Sequence, residues 1–124
     1  MPALLIANGR VIDPAHGVDE VTDLLLVDGR VERVGKRSDP SGKAAADAVY
    51  DASGCIVCPG LLDIHVHFRE PGQEEKETIL TGAASAVNGG FTTVCCMPNT
   101  RPALDDAGRI DFVYNQSRAA GLAN

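Results

Sequence analysis

The sequence predicts an α/β chain with a parallel sheet, preceded by a smaller all-β portion. Three observations carry that expectation. After Pro59 a strand pattern and a helix pattern alternate twice, and successive β-α units build parallel sheets with right-handed crossovers. Before Pro59 the chain reads as short strands separated by turn residues. The first strand after Pro59 also alternates polar with apolar residues, gathering an aspartate, two histidines and an arginine on one side.

In the leading portion, Leu4-Leu5-Ile6-Ala7 and Arg10-Val11-Ile12-Asp13 flank Asn8-Gly9, which predicts a first hairpin that ends at Pro14. Asp23-Leu24-Leu25-Leu26-Val27 and Val31-Glu32-Arg33-Val34 flank Asp28-Gly29-Arg30, the strongest hairpin signal in the chain. Val31 and Val34 break strict alternation, so a bulge or a short strand is expected in that arm. Residues 37–47 are small and polar, with Pro40 and Gly42, and read as a surface loop. Short strands follow at Val49-Tyr50-Asp51 and Cys55-Ile56-Val57-Cys58, before Pro59-Gly60 breaks the pattern.

The second portion begins with a strand over 61–68. A helix over 73–88 carries Glu74, Glu75 and Glu77 in its opening turns, where the macrodipole favours negative charge, and stops at Gly89-Gly90. Ile79, Leu80, Ala83, Ala86 and Val87 form its buried face. A strand over 91–97 and a helix over 105–120 complete the second unit. Asp105 or Asp106 caps that helix, Ile110, Val113 and Tyr114 share one side of it, and Gly121 stops it. The domain boundary is expected between 1–58 and 59–124.

Composition removes several function classes. Eleven basic against seventeen acidic residues give a net charge of −6, and the longest basic stretch is Lys36-Arg37. Phosphate-backbone binding needs a clustered positive surface, so nucleic acid is not an expected partner. No run approaches the ~18 apolar residues of a membrane span, and Met1 to Ala7 lacks the basic flank of a secretion signal. No membrane partner is expected, and residence is expected to be cytoplasmic. The four cysteines, Cys55, Cys58, Cys95 and Cys96, are too few for a disulfide scaffold and are expected to be reduced, buried thiols.

The chemistry concentrates in Pro59-Gly60-Leu61-Leu62-Asp63-Ile64-His65-Val66-His67-Phe68-Arg69-Glu70-Pro71-Gly72. Asp63, His65, His67 and Arg69 project to one face of the strand and Leu62, Ile64, Val66 and Phe68 to the other. Two imidazoles at i and i+2 can meet one metal ion, with Asp63 behind them as an orienting group. A bare His-x-His on a strand is more often a pair of surface histidines. A parallel strand is normally covered on both faces, however, and polar groups on a covered face need partners. At the end of the next strand, Met97-Pro98-Asn99-Thr100 puts Asn99 on the same rim as Arg69, where the pair can clamp a carboxylate.

These segments, with Gly89-Gly90-Phe91-Thr92-Thr93, resemble the dihydroorotases of the amidohydrolase superfamily, and the resemblance covers essentially the whole chain. Asn8-Gly9-Arg10-Val11-Ile12-Asp13-Pro14 and Val27-Asp28-Gly29-Arg30 are similar to the small β-sandwich that accompanies the barrel in those enzymes. The resemblance implies that 59–124 holds the first two units of a metal-dependent hydrolase (β/α)8 barrel. A complete barrel needs about 250 residues and does not fit in this length. His65 and His67 would be zinc ligands, Arg69 and Asn99 would hold the carboxylate of dihydroorotate or N-carbamoyl-aspartate, and Asp63 would lie behind the ligands. The implied reaction is the reversible, zinc-dependent hydrolysis and closure of a cyclic amide in pyrimidine synthesis. In that family the other ligands lie on later strands and the catalytic carboxylate follows the last one. The chain alone is therefore expected to be inactive, and none of its residues takes the general acid/base role. A homo-oligomer or an aspartate transcarbamoylase partner goes with the same resemblance. Two other readings stand beside it: another cyclic amidohydrolase acting on hydantoin, dihydropyrimidine or allantoin, and a non-catalytic metal-binding or assembly module.

Overall fold

In the computed structural model, which describes residues 2–35 and 46–124, β1 (Ala3–Asp13) and β2 (Val18–Val27) form a long antiparallel pair closed by the turn at 14–17. Asn8-Gly9 does not turn the chain. β1 runs straight through it, and the register slips between Ile6 and Gly9, so one extra residue on β1 makes a bulge. Asn8 adopts φ +63, a left-handed conformation that asparagine tolerates. Its amide N–H donates to Asp23 Oδ1 at 3.0 Å and its side-chain nitrogen to Asp51 Oδ1 at 3.1 Å. Asp23 thus satisfies the backbone N–H that a hairpin would have satisfied locally, and Asp51 holds the side chain.

The second turn is a hairpin as expected. Asp28 at φ +51 and Gly29 at φ +74 join β2 to β3 (Arg30–Val34) in the tight geometry that matches strand twist. Leu25 faces Arg33 while Leu26 faces Val31, so Glu32 is the extra residue of a bulge in that arm. The other edge of β1 pairs in parallel with β4 (Ala48–Asp51) at Leu4 to Ala7 and with β5 (Ile56–Val57) at Arg10 and Val11. The sheet order is β3-β2-β1-β4, with β5 also on β1. Of the expected loop, residues 37–45 lie outside the described residues.

Gly9 fixes how closely β5 approaches. A Cβ there would stand 2.5 Å from Val57 Cγ2 and 3.1 Å from the Cβ of Ala52, a residue only 1% exposed. Gly9→Ala is therefore expected to destabilise the folded protein by about 1–3 kcal/mol through overpacking, read as a lower urea midpoint with unchanged slope. Val21, Val31, Val49, Tyr50 and Ile56 remain exposed on this sheet, which is one layer among the described residues.

The chain divides into two compact units, Met1–Pro59 and Gly60–Asn124. In the second, β6 (Leu61–Val66) and β7 (Phe91–Cys96) pair in parallel around α1 (Ile79–Asn88), and α2 (Ala107–Ala120) follows β7. Ile79 and Ala83 of α1 are buried. Phe68 closes over α1 at Gly82, where a Cβ would fall 2.3 Å from the ring. Asn124 accepts from Val94 N at 2.8 Å and donates to Thr92 O at 2.9 Å, bracketing β7 as a parallel neighbour does.

α1 begins six residues later than its charge pattern suggests. Thr78 and Thr81 form a reciprocal capping box, and the first turn holds no acidic residue. Glu74 instead accepts from Gly72 N at 2.7 Å, a bond that holds its carboxyl below the usual range. α2 starts where expected, with Asp106 accepting from Arg109 N at 2.9 Å, and ends at Gly121 in the left-handed conformation. No residue of α2 is buried, and a cleft of about 360 Å³ between it, α1 and β7 is lined by Phe68, Ile79, Cys96, Leu104, Val113 and Tyr114.

Candidate metal and carboxylate site

Three polar side chains converge at the C-terminal end of the parallel pair. The Nε2 atoms of His65 and His67 stand 3.2 Å apart, with the rings in an edge-on arrangement. His67 Nδ1 lies 3.0 Å from Asn99 Oδ1, across the two strand ends. Met97 N donates to Val66 O at 2.8 Å, which extends the ladder beyond β6 and β7 and fixes where the Asn99 loop starts. Both imidazoles and Asn99 are exposed.

Asp63 acts on the strand itself. Its Oδ1 accepts from the backbone N–H of His65 at 2.9 Å, and no bond from it to either imidazole is found among the described residues. The register shifts between Asp63 and Val66, so β6 carries a bulge at its histidine end. The expected covering of both faces is not seen among the described residues. Phe68 packs on α1, whereas Leu62 and Ile64 are 58% and 68% exposed.

The loops beyond the strands are tied to each other and to α1. Gln73 N donates to Arg69 O at 2.9 Å, and Glu70 Oε2 accepts from Ile79 N at 2.8 Å, satisfying one of the free amides that open α1. Arg101 N donates to Pro71 O at 3.1 Å, joining the loop after β6 to the loop after β7. Leu104 N donates to Pro98 O at 3.0 Å and closes the second loop. Arg69 is half-buried, and among the described residues its guanidinium has no ion-pair partner. The structure therefore joins His65, His67 and Asn99 directly, with Asp63 bonded to the backbone beneath them. It records no bond between Arg69 and that group.

Sequence reasoning missed Glu70 and Gly72, which hold the loop carrying Arg69. The left-handed φ of +95 at Gly72 was foreshadowed by Pro71-Gly72, but its partner Arg101 was not. The cysteines differ from expectation. Cys55, Cys58 and Cys95 are exposed, and Cys96 is half-buried, which pushes its thiol up. All four are free.

The donor set suits zinc in part. Two nitrogens each about 2.0–2.1 Å from a tetrahedral zinc ion lie about 3.3–3.4 Å apart, close to the observed 3.2 Å. Among the described residues no group of three or more histidine, cysteine, aspartate and glutamate side chains is placed to hold a metal ion, so the two imidazoles offer two donors and not a full set. Among the same residues no helix is long and apolar enough to cross a membrane.

In architecture the chain is similar to solved hydantoinases. The solved L-hydantoinase (dihydropyrimidinase) from Arthrobacter aurescens is 29% identical, with a TM-score of 0.79 over 94% of this chain and 25% of that one. The chain belongs to the dihydro-orotase-like family, whose profile matches residues 54–124. It is 50% identical to a dihydroorotase of Pelobacter propionicus over 98% of this chain and 28% of that protein. A dihydroorotase of Geobacter sulfurreducens is 48% identical with the same coverage. The chain thus spans about 28% of the length of these curated relatives.

Proposed function

We propose that this chain supplies the first metal-binding strand and part of the substrate clamp of a dihydroorotase. The intact protein would interconvert dihydroorotate and N-carbamoyl-aspartate. The observation that carries the reading is the 3.2 Å separation of the His65 and His67 Nε2 atoms at the end of the first parallel strand. In this reading 59–124 forms the first two units of a (β/α)8 barrel, and the β1–β5 sheet of 1–58 is part of a β-sandwich. Cytoplasmic residence and a homo-oligomeric or aspartate transcarbamoylase-bound state go with it.

His65 and His67 would hold zinc, which when bound supplies Lewis acidity and a nucleophile at neutral pH. Asp63 holds the His65 backbone, and so the spacing of the two rings. Arg69 gives the substrate carboxylate a planar, permanently charged fork, and Asn99 offers it amide donors. Together they orient the ring for attack and add nothing to the bond-breaking itself. The general acid/base would come from residues outside this chain.

The intact protein should contain zinc and cyclise N-carbamoyl-aspartate. A protein with neither metal nor turnover would end the proposal, and a preference for hydantoin or allantoin would move it to a sister amidohydrolase. Arg69→Ala should raise KM for dihydroorotate on the order of 10- to 100-fold, as expected for one charge-assisted pair, while zinc content stays unchanged. An unaltered KM would remove Arg69 from the clamp.

A further inference from the structure

We propose that Asn99 is a positioning residue for His67 as well as a substrate contact, and that one hydrogen bond fixes both roles. The inference rests on reading His65 and His67 as a zinc-binding pair, and it concerns which atoms of His67 and Asn99 face each other. Asn99 presents Oδ1 to His67 Nδ1 at 3.0 Å. A carbonyl oxygen can only accept, so the contact is a hydrogen bond only when Nδ1 carries the proton. In the neutral ring Nε2 is then bare and free to ligate, 3.2 Å from His65 Nε2, a separation at which one cation can meet both nitrogens.

The metal reading selects between the two ways of making this contact: an Nδ2 donor facing His67 would require a bare Nδ1 and a proton on Nε2, so a cation at Nε2 requires Oδ1 to face His67. With Oδ1 committed to His67, a flip of the Asn99 side chain would set an N–H against an N–H. The two Nδ2 donors are therefore held away from His67, on the exposed rim, where they can meet an anionic oxygen. An amide free to rotate would have to be oriented by the anion itself, at a cost that the bond to His67 removes. The two residues are 32 positions apart and lie at adjacent strand ends. Their alignment depends on the backbone bonds Met97 N to Val66 O and Leu104 N to Pro98 O on either side of Asn99. Partners of this kind on a ligating histidine change metal affinity on the order of 10- to 100-fold.

Aspartate at position 99 separates the two roles, because a carboxylate still accepts from Nδ1–H but offers the substrate no donor and a like charge. The test uses the intact protein, stripped of metal with a chelator and labelled with 15N-histidine. Spectra are taken about two pH units above the ordinary histidine pKa of about 6.5, with the His67 signal assigned by its loss in His67→Gln. Wild type and Asn99→Asp should both show His67 protonated at Nδ1, and Asn99→Ala should show a tautomer mixture. In competition with a chromophoric chelator, zinc binding should weaken on the order of tenfold in Asn99→Ala and recover in Asn99→Asp. Asn99→Asp should nevertheless bind dihydroorotate as poorly as Asn99→Ala. An unchanged His67 tautomer in Asn99→Ala, or an aspartate variant that binds zinc no better than the alanine variant, would overturn the inference. A wild-type protein that binds no zinc, with the tautomer still dependent on Asn99, would overturn the metal reading and leave the positioning role standing.

Discussion

His67→Ala is expected to strip zinc from the intact protein and to lower kcat/KM by at least about a hundredfold. Losing an outer partner of a ligand costs 10- to 100-fold in affinity or activity, so losing a ligand sets a floor near the upper figure. The expectation is local. His67 is exposed, and its recorded side-chain bonds go to His65 and Asn99 at the strand ends. A surface substitution of that kind changes stability by about 0.5 kcal/mol or less. Metal content and activity should therefore collapse while the urea midpoint of the metal-free protein holds. Retention of stoichiometric zinc in His67→Ala would show that the 3.2 Å approach of the two rings is an ordinary imidazole hydrogen bond rather than half of a metal site.

Much of this site was legible because strand geometry is strict. A spacing of two predicted that His65 and His67 would meet, and they do despite the bulge between Asp63 and Val66, while parallel β-α order put Asn99 at the neighbouring strand end. What the pattern could not show is that Asn99 turns its carbonyl to His67, since that depends on the path of a loop closed by Pro98 and Leu104. Asp63 has the same spacing in the sequence, yet a bulge separates it from the histidine end of β6 and its carboxylate accepts from the backbone of His65. Parity assigns a face and not a partner.

The fold shows the same division. Asp28-Gly29 made its hairpin because both residues accept positive φ at no long-range cost. Asn8-Gly9 offers the same local signal, but Asp23 and Asp51 claim Asn8, and Val57 and Ala52 close on Gly9, so tertiary partners convert a turn into a bulge. The start of α1 was misplaced for a related reason. Three glutamates suit a helix N-terminus electrostatically, but Thr78 accepts directly from the amide of Thr81 and Glu70 reaches that of Ile79 from the preceding loop. Direct bonds outweigh the diffuse attraction of the helix dipole, which contributes typically 0.3–1 kcal/mol.

Gly72→Ala should be the most damaging change outside the imidazole pair. Gly72 has φ +95, and a Cβ there would lie 1.7 Å from the carbonyl oxygen of Arg101 and 2.7 Å from its carbon. Backbone strain of that kind costs about 1–3 kcal/mol by itself. The overlap is with backbone and not with the end of a flexible side chain, so it must be relieved by moving one loop off the other. That movement breaks the Arg101 N to Pro71 O bond and separates the loop of Arg69 from the loop of Asn99. Misplacing a positioning group by about 1 Å costs on the order of a hundredfold, so kcat/KM for dihydroorotate should fall by that order. Zinc content should survive, because His65 lies in β6 and His67 directly follows its end, upstream of the displaced loop. Gly17→Ala is the matched control, since Gly17 has φ +68 and nothing within 4 Å of its Cβ. It should show the strain in unfolding without any loss of activity. Equal losses of activity in the two variants would mean that the contact between the loops does not hold the carboxylate clamp together.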